Sequence, residues 1–280
     1  MAQIQWFPGH MTKAKREIEE KIKMVDMVIE LRDARIPSSS ANPLLHQITN
    51  QKPRLIILTK EDKADPKMTS EWIKSLSSDN TLVISTDLTK GAPMQLILAK
   101  SKELLKAKFE REARKGIRPR AIRAMIIGIP NVGKSTLINR MAKRKATITG
   151  DRPGVTKSTQ WIKVNNDFEL LDTPGVLWPK FEDEQIALRL AVTGAIKDQI
   201  LPIEDVVRFS LRYIHEYYPS LLEARFGVKS GEDVDGVLYE IGEKRKLLKS
   251  GGEVDIVRTR EMFLRELRDN DLGQMTWERI

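Results

Sequence analysis

The segment Gly128-Ile129-Pro130-Asn131-Val132-Gly133-Lys134-Ser135-Thr136 carries the residue types needed to hold a chain of phosphates. Glycines let a backbone wrap an oxyanion, while amide hydrogens and a helix N-terminus meet its charge. Lys134 is placed to reach the β and γ oxygens, and Ser135 to offer a hydroxyl to Mg2+. Asn131, Val132, Gly133 and Thr136 complete the cradle. A chance match somewhere in such a chain is expected about once in a hundred cases. An apolar run before it and a helix-forming run after it make accident rarer still.

Further along, Leu170-Leu171-Asp172-Thr173-Pro174-Gly175 reads as a strand ending in an acid and a glycine. Asp172 is placed to hold Mg2+ through water, and the Gly175 amide to approach a γ-phosphate. Alone, Asp-Thr-Pro-Gly is ordinary turn chemistry; downstream of a phosphate loop it reads as functional. Between the two lies Gly150-Asp151-Arg152-Pro153-Gly154-Val155-Thr156. A threonine on such a loop can ligate Mg2+ while a γ-phosphate is present and let go after hydrolysis. Thr156 is the first candidate, with Thr149 and Thr159 behind it; the competing reading is a plain surface loop.

Base choice falls to Thr59-Lys60-Glu61-Asp62. Asp62 can accept both N1–H and the exocyclic amino group of guanine, a pairing adenine cannot offer. Lys60 would lie over the base. As a bare tetrapeptide this is also a common solvated turn, but Ser85-Thr86-Asp87 follows the next strand with the spacing for a backbone contact to the guanine oxygen. Ser85 and Thr86 complete a set that selects GTP and GDP.

These loops need strands to present them. Apolar runs at 24–31, 54–58, 81–84 and 124–127 read as strands, as do 159–164 and 168–171, joined by a hairpin turn at 165–167. Helices are expected over 12–24 (capped by Thr12), from about 66, over 92–115 and over 134–142. Such alternation predicts an α/β fold with a mostly parallel sheet covered on both faces. Past about 182 the pattern is helical, broken near Pro202, Pro219, Gly227 and Gly251. The expected domains are 1–178, carrying the phosphate and base loops, and 179–280, small and all-helical.

Composition sets bounds. Hydrophobic residues at 40% support packed cores, and the absence of cysteine excludes disulfides and thiolate metal sites and fits a reducing cytoplasm. No apolar run approaches the ~18–20 residues of a membrane span, and the first residues lack the layout of a signal or transit peptide. A net charge of +9 attracts polyanions. Clustered cations at Lys244, Arg245, Lys246, Lys249, Arg258 and Arg260, with Arg208, Arg212 and Arg225, suit phosphate backbones, though such runs are often only solvated helix faces.

The base-reading motifs precede the phosphate-reading ones, the reverse of the usual order. A circular permutation preserves the site if old termini are joined and new ones opened at the surface; the basic stretch 114–120 would be the join. Together with Trp6-Phe7-Pro8-Gly9-His10-Met11 and Asp33-Ala34-Arg35-Ile36-Pro37, the motif set resembles the circularly permuted GTPases of ribosome assembly, over essentially the whole chain.

That resemblance implies a cytoplasmic, Mg2+-dependent GTPase, monomeric off the ribosome. It would bind the large ribosomal subunit precursor through ribosomal RNA and couple hydrolysis to a late step of assembly. Thr59 stands where Asn is commoner; it can keep a hydroxyl contact but is expected to lose the amide's bridging bonds, with modest guanine affinity as the result. Val176 stands where many GTPases carry a water-orienting Gln. His10, read as lying in a Pro-Gly turn before the first helix, is the candidate to replace that Gln; the competing reading is that Phe7-Pro8-Gly9-His10 anchors the N-terminus, while His46 reads as structural and His215 as packing or RNA-facing. Asn131 suits either a tight turn or a potassium ion beside the phosphates. Other classes remain open: a small-molecule kinase, lacking a recognisable acceptor pocket, and an RNA-binding scaffold in which nucleotide only stabilises the fold.

Overall fold

A computed structural model describes residues 8–143, 160–175, 177, 183–196 and 202–280, with residues 8–14 described by backbone alone. Thr149, Thr156, Thr159 and Val176 lie outside the described residues.

Proline opens three helices, α1 (Pro8–Lys21), α2 (Pro43–Thr49) and α3 (Pro66–Leu76). Its fixed φ suits the first helical position, where its missing N–H costs nothing. Asn42 caps α2 by accepting from the Leu44 and Leu45 amides, and Asp65 caps α3 by accepting from those of Lys67 and Met68. Because α1 starts at Pro8, Thr12 lies inside it and is not its cap. For the same reason the His10 backbone occupies the first turn of α1, not a loop before it.

Strands β1 (Met27–Asp33), β2 (Arg54–Thr59), β3 (Thr81–Thr86), β4 (Ile122–Ile127), β5 (Gln160–Lys163) and β6 (Phe168–Asp172) form a sheet in the order β3-β2-β1-β4-β6-β5. All neighbours are parallel except β5 with β6. The register places Asp33 beside Thr59, Thr59 beside Thr86, and Ile126 beside Asp172. Parallel strands in this register deliver their carboxyl ends to one edge of the sheet. From β1 the chain winds outward to β2 and β3; from β4 it winds the other way to β6. The β1/β4 boundary is therefore the switch point where open α/β sheets hold ligands.

One sheet face carries Val28, Ile56, Leu58, Met125, Ile127 and Leu171, packed under Ile18 of α1, Leu45 of α2, and Met68 and Trp72 of α3. Residues of opposite parity, among them Ile29, Leu31, Leu55, Ile57 and Ile126, are equally buried, and α4 (Met94–Arg114) packs on β2 and β3. Burial on both faces explains why these strands read as continuous apolar runs. Within the first face, buried Glu30 pairs with Arg32 at 2.8 Å and with Arg54, whose other nitrogen reaches Thr49 Oγ1 at 2.9 Å. The permutation join is fastened at its root. Asp26 accepts from Lys108, from both terminal nitrogens of Arg120 at 2.7 Å, and from the Arg123 amide at 2.9 Å. Burial alone would raise the Asp26 carboxyl, but Arg120 and Lys108 hold it well below the usual carboxylate range.

By its contacts the chain divides into two compact units, 1–181 with Glu278–Ile280, and Glu182–Trp277. The sequence boundary assigns 278–280 to the second domain; here they belong with the first, because the buried Glu278 carboxylate accepts from the Ser38 and Ser39 amides at 2.6 and 2.7 Å. The second unit is built from α6 (Glu184–Val192), α7 (Ile203–Tyr217), α8 (Ser220–Phe226), α9 (Val234–Lys244) and α10 (Ile256–Asp269), following α5 (Lys134–Met141) of the first. Its core includes Ile214, Ile241, Phe263 and Trp277, and the Tyr213 hydroxyl donates to Thr276 O at 3.0 Å. Among the described residues no helix is long and apolar enough to cross a membrane.

Candidate functional site

Gly128 to Gly133 forms the turn between β4 and α5, with Gly133 at φ 101 immediately before the helix. A side chain at Gly128 would bring its Cβ within 2.7 Å of Leu31 O, so only glycine fits against β1 there. Asn131 takes φ 59, a conformation in which Asn is favoured over most residues. The turn itself therefore accounts for an Asn at this position. Lys134 is almost fully buried and its ammonium donates to Gly128 O at 2.9 Å and Ile129 O at 2.8 Å. Ser135 and Thr136 follow in the first turn of α5.

The end of β6 meets this loop. An added Cβ at Gly175 would lie 2.9 Å from Lys134 Nζ and 3.1 Å from the Pro130 backbone. Thr173 is locked beneath it, donating to Ile126 O at 2.6 Å. Asp172 is fully buried, and neither carboxylate oxygen has a well-formed hydrogen bond. Burial pushes its carboxyl up to about 6, Lys134 and the Thr173 amide offsetting only part of the effect. Burial likewise brings Lys134 down to about 8, against the pull of Asp172. A buried carboxylate without adequate donors, within the field of the Lys134 ammonium, fits Mg2+, which takes few protein ligands and relies on phosphates and water for the rest.

The base-reading loops converge on the same place. The Thr59 hydroxyl lies 2.8 Å from Val132 O of the phosphate loop and 3.1 Å from Arg32 O. Threonine keeps a hydroxyl contact here because the end of β2 comes close to the phosphate loop, but its single proton serves one of the two carbonyls at a time. Leu88 and Thr59 flank Gly133. The Asp87 amide donates to Glu61 at 3.1 Å, joining the loops after β2 and β3, and Arg140 of α5 donates to Thr89 O at 2.9 Å. Ser85 and Thr86 sit at the end of β3.

Lys60 adopts φ 58 and pairs with Asp33 at 2.9 Å. Asp33 also accepts from Arg35 Nη2 at 2.7 Å and from Arg35 Nε at 3.0 Å. Burial would raise the Asp33 carboxyl, but Arg35 and Lys60 hold it well below the usual range. Burial lowers the Lys60 ammonium, with Asp33 opposing and Arg35 adding to the shift. Glu61, Asp33 and Arg140 were not given these roles by the sequence. Asp33 and Arg35 belong to a quoted motif, but its link to Lys60 crosses from one strand end to the next. Asp62 lies in the short turn Glu61–Lys63 next to Lys60. Among the other histidines, His215 Nδ1 lies 3.2 Å from Ser230 Oγ, and burial, then Arg54, lowers the ring pKa of His46.

Two predictions arise from this geometry. Removing the Thr59 hydroxyl (Thr59→Val) leaves buried Val132 O unpaired and should cost about 1–3 kcal/mol of stability, read as a lower thermal midpoint, with weaker GDP binding. The second concerns pH. Phosphates favour charged Lys134, which is lost above pH about 8, and Mg2+ favours ionised Asp172, which is lost below pH about 6. Mg-nucleotide affinity should be greatest between those values and fall on both sides. Calorimetry in buffers of different ionisation enthalpy should show proton uptake near the upper limit and release near the lower.

A parallel sheet with a phosphate loop at its switch point, and guanine-type loops on the two strands that precede it in the chain, defines a P-loop GTPase with permuted motif order. A family model described as "50S ribosome-binding GTPase" matches residues 123–224, from the phosphate strand onward. Ribosome biogenesis GTPase A of Bacillus pumilus is 51% identical over 277 residues, covering 99% of this chain and 98% of the relative. The GDP-bound structure of Thermotoga maritima YlqF superposes with a TM-score of 0.68 at 27% identity, over 94% of this chain and 99% of that one. The GNP-bound form gives 0.65 at 28% identity, over 95% and 98%. The chain belongs to the ribosome biogenesis GTPase A family.

Proposed function

We propose that this GTPase binds the precursor of the large ribosomal subunit and couples GTP hydrolysis to a late step of its assembly. The observation that carries the nucleotide reading is the 2.8 Å contact between Thr59 and Val132 O, which joins the base-reading and phosphate-reading loops into one site. The ribosomal reading is supported by the relatives' names, ribosome biogenesis GTPase A, and by the family description.

In this reading Asn131, Val132, Gly133, Lys134, Ser135 and Thr136 hold the phosphates, and Thr59, Lys60, Asp62, Ser85 and Thr86 hold guanine. Lys134 turns from the loop carbonyls to the β and γ oxygens and stabilises charge developing on the γ-phosphate. Ser135, Thr156 and Asp172 would hold Mg2+, which supplies charge neutralisation between the β- and γ-phosphates when bound. Gly175 donates its amide to the γ-phosphate, and His10 orients the attacking water. A potassium ion beside Asn131 would add to that stabilisation, and exchange of potassium for sodium in the assay tests it.

In the second unit, Arg208, Arg225, Arg245 and Arg260 are engaged by acids of the same unit, at 2.7 Å for Arg208 with Asp235 and 2.9 Å for Arg260 with Glu204. The exposed Arg212, Lys244, Lys246, Lys249 and Arg258 are left as the better candidates for ribosomal RNA. Binding through them should weaken steeply with salt.

Single-turnover hydrolysis, with and without large-subunit precursors, tests the proposal. The expected result is stimulation of at least about tenfold, since activators supply far more among other GTPases. Turnover indifferent to precursors would favour the scaffold reading, and phosphate transfer to a small molecule the kinase. His10→Ala should remove most of the stimulated rate while leaving GDP affinity unchanged; a slight effect in a folded variant would remove His10 from the mechanism.

A further inference from the structure

The contact that returns the chain's last residues to the first unit ends a few bonds from the base site. Both oxygens of Glu278 accept from adjacent amides, Ser38 at 2.6 Å and Ser39 at 2.7 Å, and the side chain is 2% exposed. Ser38 O accepts from the Ala41 amide at 2.9 Å. Ser40 Oγ donates to Ile36 O at 2.6 Å and accepts from the Asp33 amide at 3.0 Å. Asp33 then holds Lys60 at 2.9 Å, and the Ala34 amide donates to Thr59 O at 2.8 Å. The loop 33–41 is thus a closed knot, gripped at one end by a carboxylate and gripping the base-reading lysine at the other.

We propose that Glu278 is a positioning residue for guanine-nucleotide binding: its carboxylate clamps the Ser38 and Ser39 amides, fixing the loop through which Asp33 orients Lys60. The inference rests on the reading of Lys60 as the side chain that lies over the base. A carboxylate serving two adjacent amides, that of buried Ser39 and that of exposed Ser38, forms strong, directional bonds, and binding surfaces held in their working geometry lose less on ligation. Glu278 follows directly on Trp277, the last residue of the helical unit. The chain therefore passes between the units at two points, and the second of them ends on the loop that supports base recognition.

The test compares Glu278→Gln and Glu278→Ala with the wild type, using GDP and inorganic pyrophosphate as separate probes. Gln keeps shape and volume but presents an NH2 group to one of the two amides. Both variants should bind GDP about tenfold more weakly, a change of about 1.4 kcal/mol. Pyrophosphate, which reaches only the Lys134 loop, should bind within about twofold of wild type. Amide exchange at Ser38 and Ser39 should quicken. Unchanged GDP affinity despite faster exchange would overturn the proposal, and so would parallel loss of both probes, the mark of general loosening. If Glu278→Ala does not fold, the Gln variant decides alone. Failure of the wild type itself to bind GDP would instead remove the reading of the base site on which the inference stands.

Discussion

Lys134→Ala should lower GTP hydrolysis about a thousandfold while leaving the nucleotide-free protein folded. Its ammonium is the one cation seen inside the phosphate turn among the described residues, donating to Gly128 O and Ile129 O and buried against Gly175. Its burial works against the charged form, whose pKa lies at about 8. The fold carries that cost for the sake of the site. The sign can be followed with pH. The unfolded lysine titrates near 10.4, so between about 8 and there the unfolded chain binds the extra proton and wild-type stability rises with pH. The variant lacks that rise. Thermal melts across the range, set beside single-turnover assays at neutral pH, separate the two effects. A variant that still hydrolyses GTP at a near-normal rate would show that the phosphates are held elsewhere.

Asp62→Asn should weaken GDP by about a hundredfold or more and give xanthosine diphosphate a comparable gain. A carboxylate accepts from two guanine donors; the amide opposes one of them with a donor of its own. Sites built on such pairings discriminate strongly because the mismatched partner leaves polar groups unpaired. Competition against a fluorescent guanine nucleotide reads both changes in one experiment. Preference of the wild type for ATP would refute the assignment of Asp62 and of the loops around it.

Each motif proposed to hold phosphate or base is legible because its chemistry is written in a few consecutive residues. The strand before Lys134 and the turn after Leu171 announce themselves in this way. Contacts between segments were not legible. Glu61 reaches the Asp87 amide across 26 residues and Glu278 the Ser39 amide across 239, and no local pattern marks a carboxylate for a distant backbone. Helix starts failed differently. Thr12 has the chemistry of a cap, but Pro8 fits the first helical position four residues earlier, and α1 follows the proline. The seven residues of α2 are too few to show a helical period, although Asn42-Pro43 marks its beginning. Thr59 shows the limit of reading by substitution. A hydroxyl contact is expected of it, but the partner, Val132 O, lies 73 residues away in the chain and no local pattern names it.

The sheet order also bears on how the molecule is made. Strands β1, β2 and β3 are consecutive in the chain and adjacent in the sheet, so the guanine-reading flank can assemble while later residues are still inside the synthesising ribosome. Domains generally form from the N-terminus as the chain emerges. The Lys134 turn and the Asp172–Gly175 segment come afterwards. A nascent chain would thus possess its selectivity before its grip, and would enter the nucleotide cycle only when translation has carried it past the final strand.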